Sequence, residues 1–208
     1  MGAQEAKSQL RRAIKERLAR LGTKDRAVES RSLCKRILES LPEAPVTICA
    51  FHPMGDEVDI RSLFTELLVR GYAVYLPRKE GKHFVFRKME SLERLQPDDF
   101  RIPSPPEDAP LLEPGDLALA LIPGRAFDRK GNRMGRGNGG YDIWIRKQRQ
   151  AQASLPAEKK AQFWGVALEC QIVQEVPMEA HDETVDLVIT PRGSIKNQRP
   201  SGEIDNRG

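Results

Sequence analysis

Five glycines fall within the ten residues GNRMGRGNGG, positions 131–140, and Arg133 and Arg136 stand among them. Glycine lets backbone N–H groups approach a ligand closely and accepts positive φ. Arginine supplies forked donors that match phosphate oxygens. A helix-like stretch, YDIWIRKQRQ, follows at 141–150, and its start adds unpaired N–H groups and a positive dipole end. The combination reads as an anion cradle, best suited to a nucleotide phosphate. Asp142 sits where that helix begins. Its carboxylate either complements the dipole or holds Mg²⁺ bound to phosphates. Tyr141 either stacks on a ring and orients a substrate, or packs in the core.

A second cluster, PMEAHDETVDLVIT, occupies 177–190. His181 with Asp182 and Asp186 could bind a metal or move a proton, although the spacing matches no zinc pattern. Near the N-terminus Lys7 and Arg11 lie four residues apart, on one helical face. They either meet solvent or reach phosphate. Glu57 and His52 follow the first apolar run, at a carboxyl strand end where α/β proteins place ligands. Gly135, Gly137 and Gly140 satisfy G-x-G-x-x-G, but the dinucleotide fingerprint directly follows a strand, and here about ten residues intervene. A P-loop is absent, and so is a Ser or Cys nucleophile in a hydrolase setting.

The elements that must hold these groups alternate. Residues 4–20 read as a helix with Leu10, Ile14 and Leu18 on one face. A second helix fits 25–40, with Val28, Leu33, Ile37 and Leu38 inward. Strands fit 46–51, 73–77, 117–123, 163–168 and 186–190, and helices fit 59–70 and 141–153. Asp59 is a candidate cap and Gly71 a stop. HFVFRK (83–88) alternates apolar and polar residues, as at a sheet edge or in a hairpin. The Pro- and acid-rich stretch 97–116 reads as a long ordered loop. Such alternation predicts one open α/β domain over 1–192, a mainly parallel sheet with helices on both faces. From 193 the chain lacks apolar content and is expected to be a disordered tail.

The 208 residues suffice for one sizeable core, with 39% hydrophobic and 31% charged residues. A net charge of +4 suits an anionic small molecule. It argues against nucleic acid, as does the 6% aromatic content. Cys34, Cys49 and Cys170 form neither a disulfide framework nor a CxxC pair. With no signal peptide, membrane run or myristoylation pattern, the expectation is a cytoplasmic monomer.

Taken in order, KSQLR (7–11), Glu57 in DEVDI, GRAFDRKGNRMGRGNGGYD (124–142) and PMEAHDETVDLVIT resemble the 5-formyltetrahydrofolate cyclo-ligase family, also called 5,10-methenyltetrahydrofolate synthetases. The resemblance covers nearly the whole chain apart from the tail. It implies that Lys7 and Arg11 hold ATP phosphates, enclosed by Arg133, Met134, Gly135, Arg136, Gly137, Asn138, Gly139, Gly140 and Tyr141. Arg136 and Tyr141 would serve the reacting centre. Asp142 and Asp182 would bind Mg²⁺, and His52 and Glu57 would face the folate, with or without a polyglutamate tail. The implied reaction phosphorylates the N5-formyl oxygen, N10 attacks the activated carbon, and ADP and phosphate are released. Two departures stand out. RIPSPPE (101–107) replaces a Gly-Ile-x-Glu-Pro-like segment, so Ser104 takes the place of an acid that Glu107 could supply three residues later. In the loop, Asn138 displaces a glycine and Gly140 an aromatic. The first departure supports an alternative, a relative that binds ATP but acts on, or merely binds, a different folate-like substrate.

Overall fold

A computed structural model describes residues 2–81 and 83–197. The chain opens with two helices, α1 (Ala3–Leu21) and α2 (Thr23–Ser40), separated by Gly22 at φ 71°. Next come β1 (Thr47–Cys49), α3 (Arg61–Val69), β2 (Ala73–Glu80) and β3 (His83–Lys88). Two small ladders interrupt the alternation: β4 (Gln96–Pro97) pairs with β5 (Pro103–Ser104), and, beyond β6 (Leu117–Pro123), β7 (Ala126–Phe127) pairs with β8 (Arg133–Met134). The chain then forms α4 (Gly140–Ala151), β9 (Gln162–Val166), β10 (Leu187–Ile189) and β11 (Ser194–Lys196).

Seven strands make one sheet in the order β11-β10-β9-β6-β1-β2-β3. Its five central strands run parallel, and β3 and β11 close the two edges antiparallel. Central β6 reads LALALIP because it is covered on both faces. Leu119 and Leu121 join the core under α1, α2 and α3, whereas Ala120 and Ile122 join a second core with Trp144 and Ile145 of α4. The period-two alternation of a strand thus divides β6 between two helical layers. From β1 the chain leaves through α3 to β2, and from β6 through α4 to β9, in opposite directions along the sheet. Where neighbouring strands lead apart, their carboxyl ends leave a crevice.

The expected architecture holds, with three local corrections. Val28 is 55% exposed rather than inward, while Leu33 and Ile37 are fully buried. Asp59 does not cap α3 at its N-cap, which is Ile60; its carboxylate instead accepts from the Arg61 backbone and grips the Arg61 guanidinium. The expected tail begins with β11, whose Ile195 packs against the second core. Residues 198–208 of that tail lie outside the described residues.

Candidate active site

A cleft of about 910 Å³ opens over the crevice between β1 and β6. Every residue that the family resemblance assigns to phosphate, folate or metal lines it. Lys7 and Arg11 come from α1, His52 and Glu57 from the segment after β1, Arg133 through Asp142 from β8, the glycine loop and α4, and Asp182 from the segment before β10. Asp186 is not among them: it accepts from the Phe163 backbone and faces Arg149.

The loop shape depends on glycine at two places. Gly137 and Gly139 take φ of 103° and 67°, which side chains rarely adopt. Gly139 is the N-cap of α4, so the first N–H groups of that helix open toward the cleft. The Arg11 guanidinium donates to the Gly135 carbonyl at 3.1 Å and ties α1 to the loop.

Opposite charges meet in pairs across this space. Arg133, with a side chain 2% exposed, donates to Asp142 at 2.7 Å. Asp142 also accepts from the Glu183 backbone, so its carboxylate joins two segments and does not cap its own helix. The Lys7 ammonium lies 2.5 Å from Asp182 and 2.7 Å from Glu179. Burial works against that ammonium, but the hydrogen bonds it donates to Asp182 and Glu179, with their charges, outweigh it and raise its pKa above the ordinary lysine value. Arg136 donates to Glu57 at 3.0 Å and faces Asp56 at 3.4 Å. Asp56 is held in turn by Arg125 at 2.5 Å. Arg136 therefore crosses from the glycine loop to the turn after β1, where Glu57 also accepts from the Met54 backbone.

One wall is aromatic. Tyr141 packs edge-on against Phe84 and Trp144, with the Arg133 guanidinium 5.9 Å from its ring centre. Burial holds the Tyr141 hydroxyl well above the ordinary tyrosine pKa, so it remains a proton donor. Burial also lowers the pKa of His52, which favours neutral imidazole. Phe84, Phe100, Lys79, Asp98 and Lys147 line the cleft as well, and motif reading missed them. Alternation in HFVFRK was the available signal for Phe84. Phe100 gives none, because a turn around Asp98 positions it: that carboxylate accepts from the backbones of Lys79, Phe100 and Ile102.

Of the RIPSPPE departure only Ile102 lines this space. Ser104 is fully buried and donates to the Ile102 carbonyl, and Glu107 pairs with Arg78 of β2. Neither lines the cleft, so Glu107 does not replace the missing acid there.

Among the described residues no group of three or more His, Cys, Asp or Glu side chains stands ready for a metal. Asp142 and Asp182 nevertheless suit Mg²⁺, which usually takes one or two carboxylates and completes its shell with water and phosphate. The bonds to Asp142 converge on Oδ1. Those to Asp182 converge on Oδ2. Each carboxylate keeps its second oxygen.

A profile of the 5-formyltetrahydrofolate cyclo-ligase family matches residues 3–191. A probable 5-formyltetrahydrofolate cyclo-ligase of Schizosaccharomyces pombe is 31% identical over 202 residues, 92% of this chain and 98% of the yeast protein. The 5-formyltetrahydrofolate cyclo-ligase of Mus musculus is 30% identical over 193 residues, 88% of this chain and 93% of its own. The NMR structure of an Aquifex aeolicus 5,10-methenyltetrahydrofolate synthetase superposes with a TM-score of 0.77 at 26% identity, covering 97% of this chain and 99% of that one.

Proposed function

Because the chain belongs to the 5-formyltetrahydrofolate cyclo-ligase family, we propose that it converts 5-formyltetrahydrofolate to 5,10-methenyltetrahydrofolate with ATP and Mg²⁺, releasing ADP and phosphate. The observation that carries this reading is the facing of three cations, Lys7, Arg133 and Arg136, with carboxylates and an aromatic wall in one cleft. A formyl amide is a poor electrophile until its oxygen becomes a leaving group. Transfer of the γ-phosphoryl group to that oxygen is governed by positioning and charge neutralisation. Lys7, Arg11 and Arg133 hold the phosphates, assisted by N–H groups at the start of α4. Mg²⁺ held by Asp142 and Asp182 supplies further neutralisation of the phosphate oxygens. Tyr141 donates a hydrogen bond, and His52 and Glu57 orient the folate. N10 then attacks the activated carbon and gives up its proton, and the C–O bond breaks to release phosphate. No protein nucleophile is needed.

With Ser104 and Glu107 outside the cleft and only Ile102 of the departure lining it, residues 101–107 bring no acid to the substrate. Three free cysteines accord with a reducing compartment, the cytoplasm in our reading, and among the described residues no helix is long and apolar enough to cross a membrane. Purified protein with 5-formyltetrahydrofolate and MgATP should develop methenyltetrahydrofolate absorbance with matching ADP release. Nucleotide binding without turnover would overturn this substrate assignment.

A further inference from the structure

Glu179 belongs to none of the expected contacts, yet with Asp182 it holds Lys7, one of the two buried cations of the cleft. Lys7 is 4% exposed. Its ammonium has two carboxylate partners, Asp182 at 2.5 Å and Glu179 at 2.7 Å. Residues 179–182 form a tight turn in which the Asp182 N–H donates to the Glu179 carbonyl, and the Glu179 N–H donates back to Asp182 Oδ2 at 2.7 Å. Gln4, one turn before Lys7 on α1, donates to the same Glu179 oxygen at 2.6 Å. Hydrogen bonding to Lys7 is the first cause of a lowered Glu179 pKa, which keeps the carboxylate ionised. His181 stands at the rim, 3.9 Å from Glu179 and 3.8 Å from Asp182.

The arrangement poses a problem of charge. A divalent cation on Oδ1 of Asp182 would draw on the same carboxylate charge that Lys7 uses through Oδ2, and a buried ammonium left without a full counter-charge is strongly destabilised. We propose that Glu179 is a positioning residue that retains Lys7 when Asp182 turns to Mg²⁺. With Glu179 present, the ammonium keeps one undivided carboxylate and stays beside the phosphates while Asp182 shares its charge with the metal. Without it, Asp182 is the sole counter-charge of Lys7, and metal must compete with that ion pair. This inference rests on the assignment of Asp182 to Mg²⁺ above.

The test is the Mg²⁺ dependence of nucleotide binding to the full chain, followed by calorimetry with a non-hydrolysable ATP analogue and no folate. Glu179→Gln keeps the shape and removes the charge, and thermal melting checks that it folds. Its half-saturating Mg²⁺ concentration should rise by about tenfold or more, the scale of one charge-assisted hydrogen bond. In a Lys7→Met background the same Glu179→Gln change should have no further effect, because the residue acts through Lys7. An unchanged or lowered requirement in Glu179→Gln, or an undiminished effect without Lys7, would overturn the proposal. Wild-type protein that binds the analogue equally well without Mg²⁺ would overturn the metal assignment instead.

Discussion

The Arg133 guanidinium and the Asp142 carboxylate meet at 2.7 Å inside the first turn of α4, with side chains 2% and 14% exposed. Their pairing sets a cation proposed to face phosphate against a carboxylate proposed to face metal, so that each neutralises the other. Removing one member of a buried pair leaves an uncompensated charge and costs about 3–5 kcal/mol. A half-exposed pair is worth about 1 kcal/mol or less. Arg133→Met should therefore lower unfolding stability in urea by several kcal/mol, and Arg136→Met, whose arginine side chain is 34% exposed, much less. Equal losses would refute the difference drawn between the two arginines.

Arg136 also joins the two halves of the cleft. As a loop arginine it is expected on phosphate and at the reacting centre, and its Nε also donates to Glu57 at 3.0 Å. Arg136→Ala should thus raise the KM for 5-formyltetrahydrofolate as well as that for ATP. Steady-state titration of each substrate at saturating levels of the other measures both. A change confined to ATP would show that the Glu57 contact plays no part in substrate binding.

Local pattern made much of this legible. The apolar run LALALIP marked β6, alternation in HFVFRK marked the edge strand β3, and the glycine-arginine block marked a loop that lines the cleft. Charge pairs such as Lys7 with Glu179, 172 positions apart, left no trace in any local period. They arise because α1 packs beside the segment leading to β10, a tertiary fact. The strand β11 was hidden for a related reason. Its single apolar residue, Ile195, acquires meaning once β10 provides a ladder.

Acid should act through Asp56. Burial tends to raise its pKa, but the hydrogen bond and charge of Arg125 outweigh this and hold it below 3.8. A depressed folded value means that the contribution to stability is present above the unfolded pKa and is lost as pH falls through the folded one. Arg125→Met should be less stable than wild type at pH near 7, by about 1 kcal/mol for a partly exposed pair. That deficit should shrink as pH falls below 3.8 and Asp56 protonates in both proteins. Urea midpoints across this range check it, and a constant deficit would place the effect elsewhere.

Beneath the cleft, the Phe127 ring lies against two glycines. A Cβ at Gly124 or Gly165 would come within 2.5 Å of ring carbons, whereas one at Gly139 would meet open space at a φ of 67°. Overpacking of this kind costs about 1–3 kcal/mol or more, and a left-handed non-glycine residue about 1–2 kcal/mol. Gly165→Ala should therefore destabilise the fold, and Phe127→Leu added to it should recover part of the loss. Gly139→Ala should gain nothing from that second change. Thermal melting of the single and double variants decides the matter.

Tyr141 separates packing from chemistry. Its ring is fixed by Phe84 and Trp144, 5.2 Å and 6.4 Å between centroids, while no group among the described residues accepts from its hydroxyl. Removing a hydroxyl that has no partner within the protein costs little stability, so Tyr141→Phe should melt within about one degree of wild type. The same hydroxyl is kept protonated by burial, and in the proposed reaction it donates to the bound substrate. Turnover in Tyr141→Phe should then fall by about tenfold, the scale of one hydrogen bond to a charged oxygen. A drop in kcat with KM unchanged would locate that bond in the transition state. A fully active Tyr141→Phe would reduce the residue to part of the aromatic wall, and the phosphate cradle would then consist of Lys7, the arginines and the backbone of α4.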